Sequence, residues 1–370
     1  MNESFKKIAL LQDIVCKTGG AELVLEVFLE MFPNCDLYTL FIVSDQRKKI
    51  EKKFPNVKIH VSFFQRLIKG NSVPKFISII KVFSWVYWKF LNLKKYDLII
   101  SSSHSYGSKN INKYKNSLHI AYIHTPPRYL YDEFNEINLI KKFPYNFLFT
   151  PIKLFLKLID KKGSAGPDLL IANSKNVQER IKKYYERESV VIYPPVKMLS
   201  HKLPLKDKKY FICLSRLVKQ KGIDLAVRTC TKYGLPLIVV GDGSEFNNLK
   251  RMAGKNIEFI RDCTDDEKGN LLANAKALIY LSIEEDFGIV PIEAMSAGTP
   301  VIAFNSGGVK ETIKPNETGI LFNDYTKEGL KETIDGFNKI KFDSRKCVEQ
   351  AKKFRAEVFK NNFLEILKTF

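Results

Sequence analysis

The 370-residue chain has no apolar run long enough to cross a bilayer. Its best candidate, FISIIKVFSWVYWKFL, is interrupted by Lys81 and Lys89 and falls short of the roughly 20 residues that a spanning helix needs. The N-terminus, MNESFKKIALLQDIV, has neither the apolar length nor the small-residue cleavage site of a signal peptide. The six cysteines are scattered at 16, 35, 213, 230, 263 and 347, and none forms a CxxC. Neither a zinc site nor a disulfide framework is indicated, which suits a reducing cytosol. No GxGxxG with an acid about 20 residues further on is present, which disfavours dinucleotide redox chemistry. Acid is missing from one whole stretch: residues 52–96 hold ten Lys or Arg and no Asp or Glu.

What is present describes a folded protein. Hydrophobic residues make up 45% and charged residues 27%. The length exceeds one ordinary core and suggests two domains. The formal net charge of +20 points to an anionic partner: nucleic acid, an anionic membrane surface or a phosphorylated ligand. Lysine used as generic surface filler explains it equally well. In residues 52–96 the cations interleave with Phe63, Phe64, Trp85, Tyr87 and Trp88. That mixture suits a peripheral membrane surface or single-stranded nucleic acid, and also a helix with its apolar side in a core. Without a nucleic-acid-binding motif, no nucleic-acid partner is expected.

Short apolar runs alternate with helical patterns. KKIALLQDIV, DLYTLFIV, KYDLIISSS, SLHIAYIH, PDLLIANS and SVVIYPPV read as strands, followed by KKYFICLSRL, LPLIVVGDG, IEFIRD, KALIYLS and TPVIAF. AELVLEVFLEMF carries helical spacing and stops at Pro33. Such alternation predicts α/β architecture with two parallel, doubly wound sheets. The expected domains are 1–195 and 196–350, with a hinge within 193–209 and a helix over 351–370 crossing back to the first. In open α/β sheets ligands bind beyond the carboxyl ends of the strands, so two facing sheets would hold a ligand in a cleft between them.

Candidate chemistry falls at those strand ends. In KTGGAE, Gly19 and Gly20 let backbone approach a ligand where a helix starts; a plain turn reads equally well. In SRLVKQKG, Arg216 and Lys221 could neutralise a diphosphate leaving group in place of a metal, or be a solvated basic loop. Gly241, Asp242 and Gly243 form a tight strand-to-helix turn first and a ligand-lining loop second. In EEDFGIVPIEAMSAGTPVIAF, Pro291 suits a first helical turn and Gly298 a helix end. That spacing puts Glu285 in the preceding loop and Glu293 in the first turn, where acids commonly cap, with free N–H groups from Gly288 to Val290. Glu284 and Asp286 read as ordinary solvated acids. In SGGVKETI, Ser306, Gly307 and Gly308 make a second backbone-approach loop, and Glu311 resembles a capping-box acid. In the first half, AYIHTPPRYLYDEF ends a strand at His124, with Arg128, Tyr129, Tyr131 and Asp132 following; His104 in SSSHSYG ends another. A glycosidase built on Glu285 and Glu293 would need carboxyls flanking a scissile bond, and a helix start beside a diphosphate site fits hydroxyl binding better.

Taken together, TGGAE, SRLVKQKG, VVGDGSE, Glu285-x7-Glu293 and SGGVKETI resemble the retaining glycosyltransferases of the GT-B fold, in the large family 4 group (glycosyltransferase group 1). The resemblance runs over nearly the whole chain. HTPPRYLYDEF and EEDFGIVP look most like bacterial mannosyltransferases of surface-polysaccharide assembly. It departs at IRDCTDD, where relatives often carry glycine, and at Tyr131, where similar mannosyltransferases often have Trp. The resemblance implies a hexosyltransferase moving mannose from GDP-mannose, or a sugar from a UDP donor, to a lipid-linked glycan at the inner face of a bacterial membrane, docked through residues 52–96. It implies no metal or other cofactor. Arg216 and Lys221 would bind the donor diphosphate. Glu285 and the backbone at Phe287, Gly288 and Ile289 would hold the sugar hydroxyls, and Glu293 the ribose. His124, or alternatively His104, would stand at the reacting centre. Gly19, Gly20, Arg128 and Gly241 would complete the surroundings.

Overall fold

The structure is a computed structural model that describes residues 5–16, 19–73, 77–105, 107–112, 114–131, 145–199 and 208–370. Thr18, Lys75, Asp132 and residues 200–207 of the expected hinge lie outside the described residues. The chain forms two compact units, Met1–Pro194 with Lys360–Phe370, and Pro195–Phe359. The divisions fall at 194/195 and 359/360, against the expected 195/196 and 350/351.

The first unit runs β1 (Ile8–Gln12), α1 (Gly20–Met31), β2 (Asp36–Thr39), α2 (Ser44–Lys53), β3 (Lys58–Val61), α3 (Ile77–Phe90), β4 (Leu98–Ser103), β5 (Leu118–Ile123), α4 (Arg128–Tyr131), α5 (Tyr145–Ser164), β6 (Leu169–Ala172), α6 (Lys175–Tyr185) and β7 (Val190–Val191). The second runs β8 (Tyr210–Leu214), α7 (Ile223–Tyr233), β9 (Leu237–Val240), α8 (Phe246–Met252), β10 (Ile257–Ile260), α9 (Asp265–Ala273), β11 (Ala275–Tyr280), α10 (Ile289–Ser296), β12 (Val301–Phe304), α11 (Val309–Thr312), β13 (Gly319–Phe322), α12 (Lys327–Asn338) and α13 (Ser344–Lys352). Then α14 (Ala356–Leu367) carries the chain back into the first unit. There Phe363 meets the Phe28 ring edge-on at 4.9 Å, and Lys360 donates to Glu30 at 2.8 Å.

Both sheets are parallel throughout. Their orders are β3-β2-β1-β4-β5-β6-β7 and β10-β9-β8-β11-β12-β13. Each is a Rossmann-like order, 3-2-1-4-5-6 counted within its unit, to which the first sheet adds a seventh strand after β6; the direction of winding reverses between β1 and β4 and between β8 and β11. Central strands are buried on both faces, as Leu10, Ile99, Ile100 and Ile120 show, none more than 2% exposed. Such strands read as continuous apolar runs.

Two strands escaped the sequence reading, β3 and β13, and both are sheet edges. KIHV alternates charge and apolar residues with none buried, and GILF opens on a glycine. An edge strand meets one neighbour and water, so its sequence need not be apolar on both faces. Trp88 is a second correction. It is fully buried, packed with Leu11, Tyr38 and Ile99 on one face of the first sheet, and so contributes nothing to an outward surface.

Glycines near the strand ends serve close backbone approach. Gly241 has φ +136°, and an added Cβ would collide with the Ser215 carbonyl oxygen. The same two loops are tied by Leu217 N to Asp242 O at 2.9 Å and Glu245 N to Leu217 O at 2.9 Å. Gly336, inside α12, has nothing within 4 Å of its would-be Cβ. Gly241→Ala should therefore cost about 2 kcal/mol or more, while Gly336→Ala should stabilise by about 0.5–1 kcal/mol through helix propensity. Urea denaturation of the two variants checks the opposite signs.

Candidate functional site

In the second unit the sequence candidates gather where β8 and β11 lie side by side. After β8 the chain passes Arg216 and enters a single 3₁₀ turn, Lys219–Lys221, that stops at Gly222 with φ +64°. No side chain fits at 222, because a Cβ would meet the Tyr325 hydroxyl, which itself donates to Leu281 O at 3.0 Å. This brings Lys221 to the end of β11. Its ammonium is ion-paired with the Glu285 carboxylate and lies 3.5 Å from Ser282 Oγ, while Ser282 Oγ donates to Glu285 at 2.6 Å. Burial works against the Glu285 charge. The Lys221 charge and hydrogen bonds from Lys221, Ser282 and Tyr280 outweigh it, so the carboxyl lies below the ordinary glutamate value. The expected separate partners, Lys221 and Glu285, are thus each other's partner in this structure. Arg216 by contrast is exposed and makes no ion pair among the described residues.

The loop carrying Glu285 is held by the next one. Glu284 adopts φ +56°, a left-handed conformation costly for a non-glycine residue. Its N–H donates to Ser306 Oγ at 3.0 Å, and the same hydroxyl lies 3.2 Å from its carboxylate. Gly308 N donates to Glu285 O at 2.8 Å, and a Cβ on Gly307 or Gly308 would strike the backbone of Glu285 or Asp286. Glu284 is therefore a structural brace and not a solvated acid. The Gly-Gly pair serves this packing, and no capping box forms at α11, because Gly308 occupies its N-cap and has no side chain. A capping box does form at Thr264 and Glu267, opening α9.

Gly288, at φ +91°, turns the chain into α10, with Phe287 buried against Phe354 at 5.5 Å. At Phe287 and Gly288, therefore, only backbone could meet a ligand. Glu293 is the fifth residue of α10, not in its first turn, so it does not cap the helix. It is 8% exposed and accepts from Lys268 at 2.9 Å, which also lies 3.3 Å from Asp265. Burial pushes the Glu293 carboxyl up, and Lys268 offsets only part of that. A buried acid inside a helix needs a partner, and Lys268 supplies it.

In the first unit, His124 follows β5 and His104 follows β4. His124 Nε2 lies 2.8 Å from Ser102 Oγ on the neighbouring strand. Burial first, then the nearby His104 charge, lowers its pKa to about 3 against a weaker pull from Asp13. It is a neutral ring at working pH. Asp13, 2% exposed just past β1, was missed by the sequence reading. Its carboxylate accepts from His104 N, Ser105 N and Ser105 Oγ at 3.0 Å each and from Ser108 N at 2.7 Å, with His104 Nδ1 at 3.6 Å. The far side of this loop is anchored by Lys109, whose ammonium meets Asp160 of α5 at 2.5 Å and Ser105 O at 2.7 Å, both side chains fully enclosed. Gly19 is the N-cap of α1 and Gly20 its first residue, so this helix starts past the end of β1 without a capping side chain. Arg128 opens α4, past the end of β5.

Asp13, Ser102 and Ser282 share one sequence signal: each is polar at the carboxyl end of a buried parallel strand. Lys268 has no local signal, since only tertiary packing brings α9 to α10.

The second unit thus offers a cationic loop, a helix N-terminus, the half-buried Glu285 and the buried Glu293 around the reversal point of a parallel sheet. These can bind a diphosphate flanked by hydroxyl groups. The architecture is that of the GT-B glycosyltransferases. An Anabaena protein, HepE, solved in complex with UDP, superposes over 99% of this chain and 100% of its own with a TM-score of 0.69 at 17% identity. The lipopolysaccharide outer core galactosyltransferase WaaB superposes over 99% and 100% with a TM-score of 0.68 at 18% identity. These identities speak to the fold alone.

The sequence comparisons narrow it. Residues 196–354 match the family model described as Glycosyl transferases group 1. The alpha-1,3/1,6-mannosyltransferase ALG2 of Dictyostelium discoideum is 26% identical over 376 residues, covering 87% of this chain and 86% of that protein. The Saccharomyces cerevisiae ALG2 is 23% identical over 362 residues, covering 81% and 70%. The chain is an enzyme, a glycosyltransferase.

His124 gives a direct check on the site's electrostatics. Its folded pKa lies below the unfolded value near 6.5, so its contribution to stability is present above that value and is lost as pH falls toward 3. The His124 ring resonances should keep neutral shifts from about pH 8 down to about pH 4; an inflection near pH 6 in an NMR titration contradicts the assigned environment.

Proposed function

We propose that the chain is a retaining, metal-independent hexosyltransferase that moves mannose from GDP-mannose to a lipid-linked glycan. We place it in bacterial surface-polysaccharide synthesis, O-antigen or capsule, at the inner face of the membrane with residues 52–96 turned toward the bilayer. The single observation carrying the reading is the Lys221–Glu285 pair at the β8–β11 reversal, with Arg216 exposed five residues before Lys221. The relatives named mannosyltransferases support the sugar, and the motifs around His124 and Glu285 support the bacterial setting. A UDP-sugar donor is the second reading.

In this scheme Arg216, Lys221 and the N–H groups opening α10 take the charge of the diphosphate. Glu285, with the backbone at Phe287, Gly288 and Ile289, accepts hydrogen bonds from the sugar hydroxyls, and Glu293 from the ribose. The Gly241 loop completes the donor's surroundings in the second unit. The acceptor oxygen attacks the anomeric carbon from the face that the phosphate leaves. The carbon–phosphate oxygen bond breaks, and the leaving phosphate takes the acceptor's proton. A neutral His124 fits as a hydrogen-bonding neighbour of the reacting sugar and not as a cation.

Purified protein offered a panel of nucleotide sugars should release free sugar or transfer it from GDP-mannose above all others. Glu285→Ala should lower that rate by about 10²–10³ while keeping the fold. Turnover of none of the panel overturns the reading; turnover of a UDP-sugar alone selects the second donor.

A further inference from the structure

Helices that cover a sheet turn their polar side to water. α3 and α5 do not. α3 joins β3 to β4, and α5 joins β5 to β6, both moving the same way across the sheet. Right-handed crossovers put both on the same face, and the Trp85 ring meets Phe155 edge-on at 6.1 Å. Their inner sides are buried through Trp88, Leu156 and Ile159. Their outer sides are apolar as well: Phe83, Val86 and Phe90 on α3 are 56%, 38% and 80% exposed, and Leu154, Phe155 and Leu158 on α5 are 57%, 52% and 60% exposed.

The exposed charge between these residues has one sign. α3 contains no acid. The one acid of α5, Asp160, is withdrawn into its buried pair with Lys109. Lys89, Lys157 and Lys162 stand exposed on the two helices. A second copy of the chain is a poor occupant, since a two-fold interface would set these lysines against themselves. Nucleic acid fits poorly too, because leucine and valine offer no ring on which bases stack. Neither helix is long and apolar enough to cross a membrane.

We propose that α3 and α5 together form one docking face that lies in the plane of an anionic lipid bilayer, with the six apolar side chains in the headgroup–acyl boundary and the lysines at the phosphates. This rests on the membrane reading above and moves its surface. Half of the face comes from α5, outside residues 52–96, and the buried Trp88 is excluded.

The test uses the full chain with vesicles of phosphatidylcholine, with and without phosphatidylglycerol, alongside donor hydrolysis in solution. The wild type should sediment with the phosphatidylglycerol vesicles and dissociate at high salt. The double variant Leu154→Ser/Leu158→Ser should lose binding at least about tenfold, and Lys157→Glu/Lys162→Glu should lose it at low salt. Both should keep wild-type melting temperature and donor hydrolysis. Full vesicle binding by the leucine variant overturns the two-helix face. So does a wild-type dimer that the same substitutions disperse without any vesicle binding. Vesicle binding without donor turnover overturns the transferase reading and leaves the docking face standing.

Discussion

The ion pair between Lys221 and Glu285 is the constraint around which the second unit is arranged. Two strands that are neighbours in space but distant in sequence end beside each other, and opposite charges meet there, largely enclosed. The surrounding irregularities serve that meeting. Gly222 lets the 3₁₀ turn slip under Tyr325, Glu284 accepts a left-handed backbone, and Gly307 and Gly308 let the next loop press against Glu285. Strained backbone of this kind persists where neighbours over-determine it, and it gathers at functional sites. A diphosphate arriving at this loop would compete with Glu285 for Lys221. The carboxylate would then be released toward neutral hydroxyls, for which it is a good acceptor.

The first unit solves a different problem by the same means. Asp13 is buried with its charge answered by four hydrogen bonds, and Lys109 is buried with its charge answered by Asp160. Removing one partner of such a buried pair costs about 3–5 kcal/mol. Between those two anchors runs the loop carrying His104, and on the next strand end stands His124, kept neutral by burial. Buried charges here are met by partners, and the imidazole near them adds no charge of its own.

Much of the architecture was legible because parallel strands buried on both faces must be apolar throughout. β1, β4, β5, β8, β9, β11 and β12 announced themselves that way. β3 and β13 did not, since an edge strand is released from that demand. The positions of Lys221, Glu285 and His124 beyond strand ends followed from strand assignment alone. Their partnerships did not. Nothing local in SRLVKQKG says that Lys221 reaches Glu285, and nothing in the α9 sequence says that Lys268 reaches Glu293. Glu293 read as a first-turn acid because the helix start was placed too late; once α10 begins at Ile289, the acid falls in the second turn. Trp88 read as either surface or core because an aromatic in a basic stretch has no sequence mark of facing inward.

The central claim is that Lys221 serves phosphate while Glu285 serves hydroxyl, and that the two are paired only until a donor arrives. Calorimetric titration of a sugar-free nucleoside diphosphate into the wild type and Glu285→Gln tests it most directly. Releasing Lys221 from its carboxylate should make the variant bind the nucleoside diphosphate several-fold tighter, even as its sugar transfer collapses. Affinity that is unchanged or weaker in Glu285→Gln would contradict the account.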